Sequence, residues 1–382
     1  MKWINFLHFY QPATLNKEQI IEAVEKSYTR IIKALLKNPH IKFTINISGS
    51  LLEKLEELGQ TKLINDIKIL IDQQQIELVG TATHHPLLPL LPEAEIINQI
   101  KLQENLIKKY FGDIKLQGFF MPEMAYSKES ANIIKNLGYD WIILDEISTQ
   151  TELDNSQFYQ DENNGLKVIF RHRQHSQTYV PKLINNLLEQ NQDQTIITAT
   201  DAELYGLRHN DLSRNLEKVL QSKNLNTATI SEFLNQGKDF KKINIIPSNW
   251  ETTKEELNNN LPYALWHNPA NKIQSKIIEL AKLATEAIYA HQDDPQYEWA
   301  QKHLRQGLSS CTLWWASGET LPLWEFVAWN PDQIELGLNE LIRSIRTLDN
   351  KSTRGIKIKA EKLYNEIKQL VWERHWTEFW KQ

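Results

Sequence analysis

Two hydrophobic periods alternate along the first part of the chain. Short apolar runs bounded by turn residues predict strands at Trp3–His8, Lys42–Ile47, Ile76–Gly80, Gly118–Met121, Trp141–Leu144, Leu166–Phe170 and Thr195–Ala199. Between them, apolar residues recur three and four apart. Ile20, Ile21, Val24, Ile31, Ile32 and Leu35 make one face of a helix over Lys17–Leu36. Further helices are predicted at Leu51–Leu58, Lys62–Gln73, Glu93–Lys109, from Ser127 to Gly138, and at Leu212–Gln221, followed by an extended piece at Asn226–Ile230. Strands alternating with helices in this way imply a parallel sheet. Seven strands, with room for an eighth, favour a closed or nearly closed barrel over an open sheet. The Asn-, Gln-, Asp- and Glu-rich stretch from Asp145 to Gly165 reads as a long surface loop or lid.

After about Trp250 only helical spacing remains: Lys272–Tyr289, Tyr297–Leu313, Leu323–Thr347 and Ile356–Trp380. The expected class is α/β, an incomplete (β/α)7 barrel over residues 1–250 with a C-terminal all-α region over residues 251–382 packing over the cleft. The last helix, with Leu363, Ile367, Val371 and Trp376 on one face, reads as a packing helix rather than a membrane-surface one.

The strand ends carry the chemistry. They present His8, Tyr10 and Gln11; His84 and His85; Glu123; Asp145; Arg171 and His172; and Asp201 and Glu203. In a parallel array these all face one rim, where loops vary without disturbing the core. Glu123 follows Pro122, whose missing backbone donor marks the end of regular pairing. Two carboxylates facing each other across a cleft would serve retaining glycoside hydrolysis, one attacking the anomeric carbon and the other protonating the leaving oxygen. The plainer alternatives are a solvated turn carboxylate for Glu123, a helix N-cap for Asp201 and structural histidines under the rim.

Composition removes other classes. The net charge of −5 comes without a basic block or a glycine-rich phosphate loop, so nucleic acid is not an expected partner. The single cysteine, Cys311, rules out an intramolecular disulfide, and its apolar surroundings read as buried. The N-terminal WINFLHFY run is too short for a signal segment, and no stretch approaches the length of a membrane span. The expected location is the cytoplasm. Twelve Trp and twelve Tyr supply flat faces on which sugar rings could stack, although most aromatic residues pack in cores.

Four segments together resemble glycoside hydrolase family 57, over roughly residues 3–235 and more faintly beyond. His8-Phe9-Tyr10-Gln11-Pro12 resembles the family's HxHQP run. Gly80-Thr81 through His85-Pro86-Leu87-Leu88-Pro89 resembles its second motif. Met121-Pro122-Glu123-Met124-Ala125-Tyr126 resembles the run carrying the nucleophile. Asp201-Ala202-Glu203-Leu204-Tyr205-Gly206 resembles the run carrying the acid/base. The resemblance implies an enzyme on α-1,4-glucans or maltooligosaccharides (an amylase, 4-α-glucanotransferase or branching enzyme) with Glu123 as nucleophile and Asp201 as general acid/base. His8, Gln11, His85, Arg171, Glu203 and Trp315 would bind substrate, with Trp314 and Trp324 as further stacking candidates; no cofactor or metal is implied. Two departures stand out: Tyr10 replaces the second histidine of the first motif, and Ser309–Trp315 is similar to a late aromatic motif but lacks its Asp. The competing readings are a metal-dependent hydrolase or deacetylase using His8, His85 and Asp201 as zinc ligands, and a non-catalytic glucan-binding relative.

Overall fold

The computed structural model describes residues 1–154, 157–190, 194–321 and 326–380. The chain divides into two compact units, one of Met1–Thr83 with Ile96–Trp250, the other of His84–Glu95 with Glu251–Gln382. The second unit therefore takes a short stretch from the middle of the sequence-predicted barrel region.

The first unit has an α/β fold. Its strands are β1 (Lys2–Phe9), β2 (Phe43–Ile47), β3 (Ile76–Leu78), β4 (Gly118–Phe119), β5 (Trp141–Asp145), β6 (Phe158–Asp161), β7 (Lys167–Arg171), β8 (Thr195–Asp201), β9 (Asn226–Thr227) and β10 (Phe240–Ile243). One sheet has the order β3-β2-β1-β8, with β9 also on β1; the other runs β10-β6-β7-β5-β4. All these pairings are parallel except β6 with β7. Two backbone links run between the sheets. Gly80, just past β3, pairs in parallel with Phe119 of β4, and the His172 N–H after β7 donates to the Ile197 carbonyl of β8 at 2.9 Å.

Both faces of these strands are covered. In β1, Trp3, Leu7 and Phe9 join the helix-facing core, while Phe6, pointing the other way, stacks on Phe120 at 5.1 Å. Burial on both faces is why the strands read as continuous apolar runs rather than alternating ones. Gly118 is required by packing, because a Cβ there would lie 2.1 Å from the Trp141 indole.

The first helix spans its expected range, but not as one α-helix. Lys17–Ala23 is α, Val24–Tyr28 is a π turn, and Thr29–Leu36 is α again. The expected loop or lid at Asp145–Gly165 is corrected by β6. Phe158 packs against Phe233 and Phe240, and the buried Asp161 accepts from Tyr126 and from the Asn163 and Asn164 amides, closing the turn into β7. Residues 155 and 156 of that stretch lie outside the described set. β10 was not expected at all, since its two lysines mask the strand pattern.

In the second unit the main helices are Lys272–Tyr289, Tyr297–Gly307, Ser310–Trp315, Pro331–Thr347 and Arg354–Arg374, the last continuing into a π turn at His375–Phe379. The predicted helix Tyr297–Leu313 breaks before Ser309, whose hydroxyl caps the next helix. The predicted start at Leu323 is also corrected: Asn330 caps a helix beginning at Pro331, and residues 323–325 lie outside the described set. A short antiparallel pair, Thr320–Leu321 with Phe326–Val327, means that this region is not helices alone. Cys311 is half-buried rather than buried. Among the described residues, no helix is long and apolar enough to cross a membrane.

Candidate active site

Parallel strands bring their carboxyl ends to one edge. In the first unit that edge carries His8 at β1, Asp145 at β5, Arg171 at β7 and Asp201 at β8, with Glu123 in the turn just after β4.

Glu123 is buried and sits in the left-handed backbone region, with φ 61° and ψ 15°; Met124 follows with φ 49°. Each such non-glycine residue costs about 1 kcal/mol, so the surroundings must hold the turn. They do so through the backbone. Met124 N–H donates to Met121 O at 2.7 Å, Ala125 N–H to Pro122 O at 3.0 Å, and Trp250 N–H to the Glu123 carbonyl at 3.1 Å. Strain retained at a strand end, in a buried acidic residue, marks a position whose geometry matters.

Asp201 lies opposite His8 in the β1–β8 register. Its side chain is 21% exposed and makes a 3.5 Å ion pair with Arg208. It makes no capping hydrogen bond to the 3-10 turn Ala202–Leu204 that follows, so the capping alternative is not the role this carboxylate plays. His8 Nδ1 lies 2.8 Å from Asn46 Oδ1. Burial lowers the His8 pKa below the ordinary imidazole value, and the Asp201 charge opposes that shift.

Gln11 and Glu203 meet directly, with Gln11 Nε2 donating to Glu203 Oε1 at 2.7 Å and to the Tyr28 hydroxyl at 3.1 Å. Tyr28 in turn donates to Glu203. Burial, with the nearby Asp201 charge second, pushes the Glu203 carboxyl up to about 7. A buried carboxylate with two protein donors supports its neighbours; the exposed carboxylate of this pair is Asp201. Arg171 is likewise engaged: Nε donates to Asp145 Oδ2 at 2.6 Å, Nη1 to the Ala199 carbonyl and Nη2 to the Trp250 carbonyl, both at 3.0 Å.

Trp250 is the residue that sequence reasoning passed over. Its ring is 6.1 Å from His8, 5.9 Å from Phe120 and 5.2 Å from the Arg171 guanidinium. Its N–H holds Glu123, and its carbonyl also accepts from Arg173 at 2.9 Å. Phe120, three residues before Glu123, is itself 4.7 Å from His8. Thus His8, in register with Asp201, and Trp250, bonded to the Glu123 backbone, connect the two candidate residues through one ring contact. Tyr28 was missed too, because it reads as one more member of the apolar helix face.

The other two candidates belong to the second unit. His85, with φ 56°, has Nδ1 3.0 Å from Ser310 Oγ, and its carbonyl accepts from Ser310 N–H. The second-motif histidine is therefore tied to the late segment that lacks the family's Asp. Trp315 is half-buried, edge-on to Trp314 at 4.5 Å and tilted against Phe326 at 6.2 Å. Trp324 lies outside the described residues. Among the described residues, no three His, Cys, Asp or Glu side chains gather as metal ligands.

The family model for glycosyl hydrolase family 57 matches residues 2–247. An alpha-amylase of Pyrococcus horikoshii is 33% identical over 150 residues, which is 38% of this chain and 23% of that protein. A 4-alpha-glucanotransferase of Thermococcus litoralis is 26% identical over 149 residues, covering 38% of this chain and 22% of that one. The sequence matches thus span less than a quarter of these relatives. The crystal structure of the Thermococcus litoralis 4-alpha-glucanotransferase superposes with a TM-score of 0.72 at 16% identity, covering 92% of this chain and 60% of that one. A branching enzyme from Pyrococcus horikoshii does so at 0.70 and 15% identity, covering 95% and 94%. With the family model matching well over half of its length, this chain belongs to glycosyl hydrolase family 57.

Proposed function

We propose that this protein is a retaining glycoside hydrolase or transglycosylase acting on α-1,4-glucans, with Glu123 as nucleophile and Asp201 as general acid/base. The observation that carries the reading is the chain of contacts between the two residues: Asp201 in register with His8, and Glu123 bonded through its backbone carbonyl to Trp250, whose ring lies 6.1 Å from His8. We also infer that the seven parallel strands β1, β2, β3, β4, β5, β7 and β8 form the incomplete (β/α)7 barrel. The Gly80–Phe119 bridge and the His172–Ile197 hydrogen bond support this, because they continue the strand order across both gaps between the sheets.

In the first step the Glu123 carboxylate attacks the anomeric carbon while Asp201 gives its proton to the leaving oxygen. In the second, Asp201 removes a proton from water or a sugar hydroxyl, which attacks the glycosyl–Glu123 ester. Glu203, Gln11 and Tyr28 stiffen the turn after Asp201. Binding of sugar hydroxyls falls to His8, Gln11, His85, Arg171 and Glu203 in this reading, and stacking to Trp315. Arg171 and Glu203 reach substrate only through the donors and oxygens that their protein partners leave over.

The test is incubation with maltoheptaose, resolving products by chain length, for wild type, Glu123→Gln and Asp201→Asn. Shorter and longer products, lost in both variants, identify a transferase; shorter products alone identify a hydrolase. Untouched maltoheptaose would remove α-1,4-glucan as the substrate.

A further inference from the structure

The π turn Val24–Tyr28 touches the segment after Asp201 at three consecutive residues. The Lys26 carbonyl faces Gly206 so closely that a Cβ there would lie 2.3 Å from it. The Ser27 hydroxyl donates to the Ala202 carbonyl at 2.6 Å. The Tyr28 hydroxyl donates to the Glu203 carboxylate and accepts from Gln11. Ser27 and Tyr28 are both fully buried. One helix turn further on, Arg30 bonds Asp211 at 2.7 Å and Glu217 through both its oxygens, at 2.8 and 2.6 Å, fastening the far end of the same loop.

The π geometry is what allows this. The Thr29 N–H bonds the Val24 carbonyl, five residues back, so the turn carries one residue more than an α turn. Residues in an α-helix are spaced 100° apart, and the widened turn alters which successive side chains look inward. Such insertions cost hydrogen-bond geometry and are rare, and they recur at functional sites.

We propose that this π turn is a clamp that positions Asp201, with Ser27 and Tyr28 as positioning residues for general acid catalysis. Asp201 lies between two fixed points. On one side is β8, paired with β1 up to His8 opposite Asp201; on the other is the Ala202–Glu203 turn, held by Ser27 and Tyr28. Its side chain is partly exposed, at 21%, and pairs with the half-exposed Arg208. Neither positioning residue touches substrate; each acts by fixing the backbone and side chain next to Asp201. A displaced acid loses rate steeply, because proton transfer needs hydrogen-bond reach to the leaving oxygen.

The inference rests on Asp201 being the acid/base, and the experiment separates the two. Rates are measured on maltoheptaose, whose sugar leaving group needs a proton, and on a dinitrophenyl maltooligosaccharide, whose phenolate leaves without one. Asp201→Asn should lose maltoheptaose turnover and keep formation of the glycosyl-enzyme from the activated substrate. If it loses both equally, the role of Asp201 fails, whatever the clamp variants do. If Asp201 passes, Tyr28→Phe and Ser27→Ala are compared with wild type, each checked for folding by circular dichroism and melting. The clamp predicts a fall in kcat on maltoheptaose of about ten- to a hundredfold with KM unchanged, against a change under about threefold in the rate of the pre-steady-state burst of dinitrophenol, which reports glycosyl-enzyme formation alone. Equal losses on both substrates would mean a general structural role and overturn the proposal, as would unchanged rates. Ser27→Ala keeps the test decisive if Tyr28→Phe fails to fold.

Discussion

Arg171 and Asp145 form a buried ion pair at the ends of neighbouring strands, Nε to Oδ2 at 2.6 Å, with Arg173 holding the other carboxylate oxygen at 2.8 Å. The same two arginines also hold the Trp250 carbonyl, which links this pair to the residue bonded to Glu123. The pair thus belongs to the framework under the candidate site.

Breaking it should be expensive. Asp145→Ala leaves the buried Arg171 guanidinium without its counter-charge, and removing one member of a buried pair typically costs about 3–5 kcal/mol. Urea unfolding should show a midpoint well below wild type. A variant within about 1 kcal/mol of wild type would refute that cost.

The strained turn at Glu123 gives a cleaner comparison. Glu123→Gly and Glu123→Ala both remove the carboxylate and should both be inactive. They differ only in how well they accept φ 61°. The glycine variant should be the more stable of the two by about 1 kcal/mol, read from their unfolding midpoints. Equal stability would show that the left-handed backbone is not strained here.

Glu203 sets a pH dependence with a definite sign. Its folded-state pKa is raised, from the ordinary 4.5 to about 7, by burial and then by Asp201. Between those values the folded protein holds more protons than the unfolded chain, so this group lowers stability as pH rises through that window. Glu203→Gln removes the effect. Its stability relative to wild type should therefore climb from pH 4.5 to pH 7, by on the order of 3 kcal/mol, and level off above. A pH-independent difference would refute the raised value.

Gly206 lies where the clamp and the loop after Asp201 come closest, with φ +128° and no room for a Cβ against the Lys26 carbonyl. Gly206→Ala should cost about 2–3 kcal/mol of stability, since both the backbone conformation and the contact resist it. It should also lower turnover of maltoheptaose more than the burst of phenol released from an activated aryl glycoside in the first step. An alanine variant of wild-type stability would show that the turn moves freely.

Much of this was legible in the residues. β1, β2, β5, β7 and β8 read as strands because burial on both faces demands continuous apolar runs, and turn and cap residues such as Ser127 marked the helix starts. β6 and β10 did not read as strands. Phe-Tyr-Gln-Asp ends in a half-buried glutamine and a buried aspartate and Phe-Lys-Lys-Ile exposes both lysines, so neither shows an apolar run, and the contacts that Phe158 makes with Phe233 and Phe240 come from distant segments.

Local composition and order along the chain determined the strand–helix rhythm, the acidic strand ends and the motifs that mark the family, because each depends on residues within a few positions of one another. Tertiary structure alone decided that Tyr28 meets Glu203 across 175 residues, that Trp250 holds Glu123 and Arg171, and that His85 pairs with Ser310 across 225 residues. The physical reason is that a hydrogen bond or ring contact between distant segments leaves no periodicity. A tyrosine on an apolar helix face or a tryptophan after a turn has the same sequence signature whether it fills a core or supports a site.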